Sequence, residues 1–176
     1  MLQLLSQYAR NRTAWFLLLL SALCFELVAL FFQHVLNLNP CVLCIYQRCV
    51  FAGIFIAALI ALINPQNLLF RLVGLALWIY CAIKGFLFAY EQATLQFEPS
   101  MFHSCPLNVS FPAWLPLNTW IPGMFESTGI CSDRIWQFLT LEMSQWTMII
   151  FICYLIVALL VLVAQFVRPV QSAWKN

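Results

Sequence analysis

The chain has 176 residues, of which 64% are hydrophobic and 8% charged, with a mean hydropathy of +0.92. A soluble domain carries roughly a quarter charged residues, so this composition excludes one and points to an integral membrane protein. The net charge of +2, without a basic cluster, argues against a nucleic-acid partner, and eight cysteines in so apolar a chain do not read as a small secreted disulfide scaffold.

Residues 1–13 are polar and carry Arg10 and Arg12. The apolar run Ala14 to Phe32 follows, long enough to span hydrocarbon at about 1.5 Å per residue. Its length, the presence of Glu26 and the lack of a small-residue cleavage site favour a first transmembrane helix over a cleaved signal peptide. That span is expected over 14–34. After a short turn, Asn39 suits a helix N-cap and Pro40 the first helical position, opening a second span over 41–63. Both cysteines of the Cys41-Val42-Leu43-Cys44 motif then lie in its first turn, with Arg48 one turn deeper on the same side. Asn64-Pro65-Gln66-Asn67 is a turn, and a third span is expected over 72–90, carrying Lys84.

Residues 91–145 hold five of the eight prolines and are too polar to span, yet Phe111, Trp114, Leu115, Trp120 and Ile121 make parts of them amphiphilic. This loop, with Cys105 and Cys131, is expected to lie along the membrane surface without regular secondary structure. A fourth span is expected over 146–167, followed by Arg168 and Lys175. The fold class is therefore all-α integral membrane: a single membrane domain over 1–176, built as an antiparallel four-transmembrane-helix bundle with a long loop between helices 3 and 4. Arg10, Arg12, Arg71, Arg168 and Lys175 fall on one side of this arrangement. The positive-inside rule puts that side, with both termini, in the cytoplasm, and Cys41 and Cys44 at the outer face.

Cys24, Cys81 and Cys153 fall inside spans among apolar neighbours and are expected to pack as small hydrophobes. Cys49, five residues after Cys44, points to a different side of the helix and is expected to be structural too. Cys41, Cys44, Cys105 and Cys131 all lie on the outer side. A Cys105–Cys131 bridge could simply clamp the loop, stabilising it by roughly 3–4 kcal/mol; with a second dithiol able to receive electrons, a redox relay is the competing reading. A zinc site needs four N or S ligands, for which His34 and His103 are further candidates, but Cys105 and Cys131 do not form a second Cys-x-x-Cys knuckle. The expectation is no metal.

Glu26, Arg48 and Lys84 each carry charge into hydrocarbon, at a cost of roughly 2.5–3.5 kcal/mol apiece. Lys84 could snorkel outward, and Glu26 could pair with either cation, so that for these two an ion pair holding helices together stands beside a functional role. Arg48, beside a dithiol, can stabilise a thiolate or a reduced, anionic acceptor. The chain has no haem motif and no dinucleotide fingerprint, so a quinone dissolved in the membrane is the acceptor that needs no dedicated binding fold.

Phe32-Gln33-His34-Val35, Pro40 to Tyr46 and Arg48 resemble the bacterial disulfide-bond formation family DsbB. The resemblance continues through Tyr90-Glu91, Leu95-Gln96, Cys105, Phe111-Pro112-x-Trp114-Leu115-Pro116-Leu117, Cys131, Leu141-Glu142-Met143 and Gln145-Trp146. It implies a protein-disulfide:quinone oxidoreductase of the bacterial inner membrane. Such an enzyme reoxidises a periplasmic DsbA-like thiol oxidase and delivers the electrons to ubiquinone or menaquinone. Cys105 and Cys131 would then be the loop disulfide that oxidises the partner, Cys41 and Cys44 the pair that reoxidises the loop, and Cys44 with Arg48 would face the quinone. Gln92 stands where the family often has histidine, and Ser144 where a proline is common. The alternatives are a sister oxidase serving another dithiol partner, and a non-catalytic membrane scaffold with a structural disulfide or zinc site.

Overall fold

The computed structural model describes residues 10–97, 109–111, 116–134 and 136–166. Four long helices dominate: α1 (Arg12–His34), α2 (Val42–Ile63), α3 (Leu68–Phe97) and α6 (Met143–Phe166). Each is long and apolar enough to cross a membrane, and together they form the expected four-helix integral membrane bundle. Between α3 and α6 lie two single turns, α4 (Leu117–Trp120) and α5 (Pro122–Phe125), and a small antiparallel hairpin of β1 (Gln137–Phe138) and β2 (Leu141–Glu142).

Helix α2 packs against α1 on one side and α3 on the other, and α3 packs against α6. Small residues permit the close α2–α3 approach, as in other membrane helix pairs: a Cβ on Gly74 would lie 2.7 Å from the Ala57 carbonyl oxygen and 2.9 Å from Ala61 Cβ. Aromatic rings fill the centre, with Phe51 stacked on Phe151 at 4.8 Å and Trp78 edge-on to Tyr154 at 6.4 Å. Ser21 Oγ and Tyr154 Oη, 2.8 Å apart, join α1 to α6. Outward faces stay apolar, with Leu17, Leu20 and Leu27 exposed on α1 and Ile156, Leu159 and Val163 on α6, as a surface solvated by lipid requires.

Three expectations need correcting, and the open question of Glu26 is answered. Helix α2 is capped by Cys41 itself and not by Asn39, because the chain through Pro40 stays outside the helix and its carbonyl is claimed by the later loop. Helix α3 runs two turns past residue 90, since Gln92, Leu95 and Gln96 recur at helical spacing on a buried face. Cys24 and Cys153 are exposed on the outside of the bundle, whereas Cys81 is buried. Glu26 makes no ion pair within 4 Å among the described residues. Its carboxylate oxygens are buried without a hydrogen-bond partner, within electrostatic range of Arg48, while Lys84 lies on the exposed face of α3.

Candidate redox site at the mouth of the second helix

An N-cap side chain accepts from the backbone N–H two or three residues on, and in a Cys-x-x-Cys motif that spacing joins the two cysteines. Cys41 adopts the extended cap conformation (φ −81°, ψ 169°), and its Sγ accepts from the Cys44 N–H at 3.3 Å. The two sulfurs are free and lie 2.8 Å apart. Cys44 therefore sits in the first turn, where unpaired N–H groups and the positive end of the helix favour an anion. Hydrogen bonding to Cys44, together with burial, pushes the Cys41 thiol up, against the backbone N–H groups that donate to it.

The segment carrying Cys131 is laid across this mouth. The backbone N–H groups of Thr128 and Gly129 both donate to the Pro40 carbonyl at 3.1 Å. Gly129 is required there by contact and not by its φ angle: any Cβ would overlap the carbonyl oxygen of Asn39. Cys131 is disulfide-bonded and fully buried. It packs in one buried cluster with Cys41, Leu43 and Leu95, with Cys44 and Tyr46 against it. Cys105 lies outside the described residues.

Further polar contacts hold the segment on both sides. Arg134 donates to the carbonyl oxygen of Gln96 through Nε (3.2 Å) and Nη2 (2.6 Å) and approaches Glu142 at 4.0 Å. Gln96 donates through Nε2 to the Asp133 carbonyl at 3.2 Å and accepts from Ser144 Oγ at 2.5 Å. Tyr46 accepts from the Ser110 N–H at 3.0 Å and meets Phe111 edge-on, which fastens an earlier part of the loop to α2.

One turn below Cys44, Arg48 is 4% exposed. Its Nη1 donates to Gln33 Oε1 at 2.5 Å and to the Met124 carbonyl at 2.9 Å, while Gln33 Nε2 donates to the Gly123 carbonyl at 3.0 Å. The same cation thus ties α1, α2 and α5 together. On the opposite side, Gln92 Nε2 donates to Cys44 Sγ at 3.4 Å, and Gln92 Oε1 accepts from Gln47 Nε2 at 2.9 Å. Cys44, Arg48 and Gln33 line a cavity of about 320 Å³ whose other walls include Phe32, Phe51 and Trp146.

The structure brings Cys41, Cys44, Cys131 and Arg48 to one end of the bundle. Sequence reasoning passed over Gln33, Gln47, Gln96 and Gly129 as site elements. The available signal was polarity: Gln47 interrupts an apolar run, and a glutamine in a membrane helix needs a partner. Gly129 left no signal, because its role depends on what crosses it.

A family model described as disulfide bond formation protein DsbB matches residues 11–161. The chain is 48% identical over 169 residues to disulfide bond formation protein B of Yersinia pestis (strain Pestoides F), covering 96% of each chain. It is 49% identical over 165 residues to the protein of that name from Pectobacterium atrosepticum, covering 94% of this chain and 93% of that one. The corresponding Salmonella typhimurium protein is 48% identical over 169 residues, 96% of each. A match that runs from the first long helix well into the fourth, across the whole cysteine site, establishes that this chain belongs to the DsbB family of disulfide bond formation proteins.

Proposed function

We propose that the protein is a quinone-linked protein-dithiol oxidase that reoxidises a periplasmic thioredoxin-like disulfide donor of the DsbA type. The observation that carries this reading is the packing of disulfide-bonded Cys131 in one buried cluster with the free Cys41–Cys44 dithiol. Two redox pairs in contact can exchange electrons; a purely structural bridge has no need of such a neighbour. Apart from Cys131 and Cys105, the other six cysteines are free, which supports Cys105–Cys131 as the loop disulfide.

In this mechanism a partner thiolate attacks Cys105, giving a mixed disulfide and releasing Cys131 as a thiolate. The partner's second thiol resolves the mixed disulfide and leaves oxidised with one disulfide, and the loop keeps the two electrons as Cys105 and Cys131 thiols. The Cys131 thiolate then attacks the oxidised Cys41–Cys44 pair at Cys41, freeing Cys44, and Cys105 closes back on Cys131 to leave the helix-mouth dithiol reduced. A quinone bound beside Cys44 supplies the terminal oxidation, taking two electrons and two protons.

The residues present fit such a group. The cavity is of ligand size, its walls are largely apolar, and it places the Arg48 cation and the Cys41–Cys44 dithiol on its lining. It shares Phe25, Trp146 and Ile150 with a second apolar space of about 590 Å³ between α1 and α6, suited to an isoprenoid tail. Arg48 would bind and orient the head through donors not already given to Gln33 and Met124. Ubiquinone and menaquinone both suit one cation beside a thiol. The same reading places the helix mouth in the periplasm and both termini in the cytoplasm of a bacterial inner membrane.

The test is oxidation of a reduced thioredoxin-like substrate by purified protein. Beyond the stoichiometric amount that the protein's own disulfides oxidise, substrate should be consumed only when quinone is supplied, with one quinone reduced per disulfide formed; sustained turnover indifferent to quinone rejects the proposal. Running several dithiol proteins in parallel separates a DsbA-type partner from another one. In the same assay Arg48→Met should raise the quinone KM about tenfold or more, the scale of one hydrogen bond to a charged group. An unchanged KM and rate would remove Arg48 from the site.

A further inference from the structure

Glutamine presents a donor at one end of its carboxamide and an acceptor at the other, and exchanging them hardly changes its shape. Gln92 faces Cys44 from α3, so which end it offers decides whether it supports a thiolate or opposes one. Its Nε2 lies on Cys44 Sγ at 3.4 Å, and its Oε1 receives Gln47 Nε2 at 2.9 Å. Gln47 and Gln92 are 6% and 5% exposed, so bulk solvent has little access to either side chain. Gln47 also lies three residues after Cys44, on the same face of α2. We infer that Gln47 is a positioning residue: by donating to Gln92 Oε1 it turns the Gln92 amide hydrogens onto Cys44 Sγ and holds them there.

The chemical consequence follows from the group type. A carboxamide neither gains nor loses a proton in the accessible pH range, so the donor offered to Cys44 persists at every pH. Among the described residues, the other charged or titratable neighbours acting on Cys44 are Cys41 and Arg48, and Arg48 keeps its charge throughout. The inference rests on Cys44 being the reactive sulfur of the pair but needs neither quinone nor partner, so it can fail or stand independently of the electron acceptor.

The experiment is site-resolved alkylation of Cys44 by iodoacetamide in the full-length protein with the Cys41–Cys44 pair reduced and the Cys131 disulfide intact, followed by mass spectrometry between about pH 5 and about pH 10. Gln92→Met removes the donor and should lower the Cys44 rate near neutral pH about tenfold. Gln47→Met leaves Gln92 in place but unaligned and should lower the rate severalfold. Both should converge on the parent rate at the alkaline end, where the thiolate is fully formed regardless. Methionine matches glutamine in length and suits a membrane helix, so the bundle should assemble; retention of the Cys131 disulfide checks this. If Gln47 acts through Gln92, the double variant reproduces Gln92→Met alone. A parent-like profile for Gln47→Met, or losses that add in the double variant, overturns the inference.

Discussion

Replacing Cys44 with serine should reduce the enzyme to a single turnover. The loop disulfide is untouched by this change, so a reduced thioredoxin-like partner still delivers two electrons to it, giving a burst of about one equivalent of partner disulfide per chain. Nothing follows the burst. Serine at 44 cannot form the disulfide that Cys131 must attack, and its hydroxyl is no substitute for a thiolate at the cavity wall. The helix should survive, because the cap bond runs from the backbone N–H of residue 44 to the sulfur of Cys41 and needs no side chain at 44. Rapid-mixing kinetics with excess reduced partner, with and without quinone, measures both phases. Sustained quinone-dependent turnover by Cys44→Ser would show that electrons leave by another route.

Gly129→Ala should separate the two halves of the relay by another means. Any Cβ at this position overlaps the Asn39 carbonyl oxygen, a backbone atom that cannot swing away. Overpacking of this kind costs about 1–3 kcal/mol, relieved most readily by lifting residues 128–131 off the Pro40 carbonyl they hold. Thiol–disulfide exchange needs the attacking sulfur in line with the disulfide, and a displacement on the order of 1 Å can lower such a step about a hundredfold. The initial burst of partner oxidation should be preserved, because it uses only the loop disulfide, while quinone-linked turnover falls about a hundredfold. Equal slowing of burst and turnover would mean that Gly129 acts on the loop as a whole and not on the Cys131–Cys41 approach.

The four spans were legible because hydrophobicity over about twenty residues is itself the physical requirement for crossing a bilayer. Cys41, Cys44 and Arg48 were legible as a group because helical spacing alone places them on one side of α2. The capping of α2 was misread for a physical reason. Asn39 and Pro40 have the right local chemistry for a helix start, but Thr128 and Gly129, far away in sequence, claim the Pro40 carbonyl, and the cap passes to Cys41. Gln47 and Gln92 were visible as isolated polar residues, whereas their pairing depends on how α2 and α3 sit together. The loop was the least legible part, since its seat is made largely through main-chain carbonyls that every residue type possesses.

That last property has a consequence for how the protein can change. Arg48 and Gln33 grip the carbonyls of Met124 and Gly123, and Thr128 and Gly129 grip the carbonyl of Pro40. The side chains of Trp120 and Ile121 meanwhile are exposed. These exposed side chains can therefore be exchanged while the backbone anchors keep Cys131 beside Cys41, so the segment can vary in sequence without losing its seat.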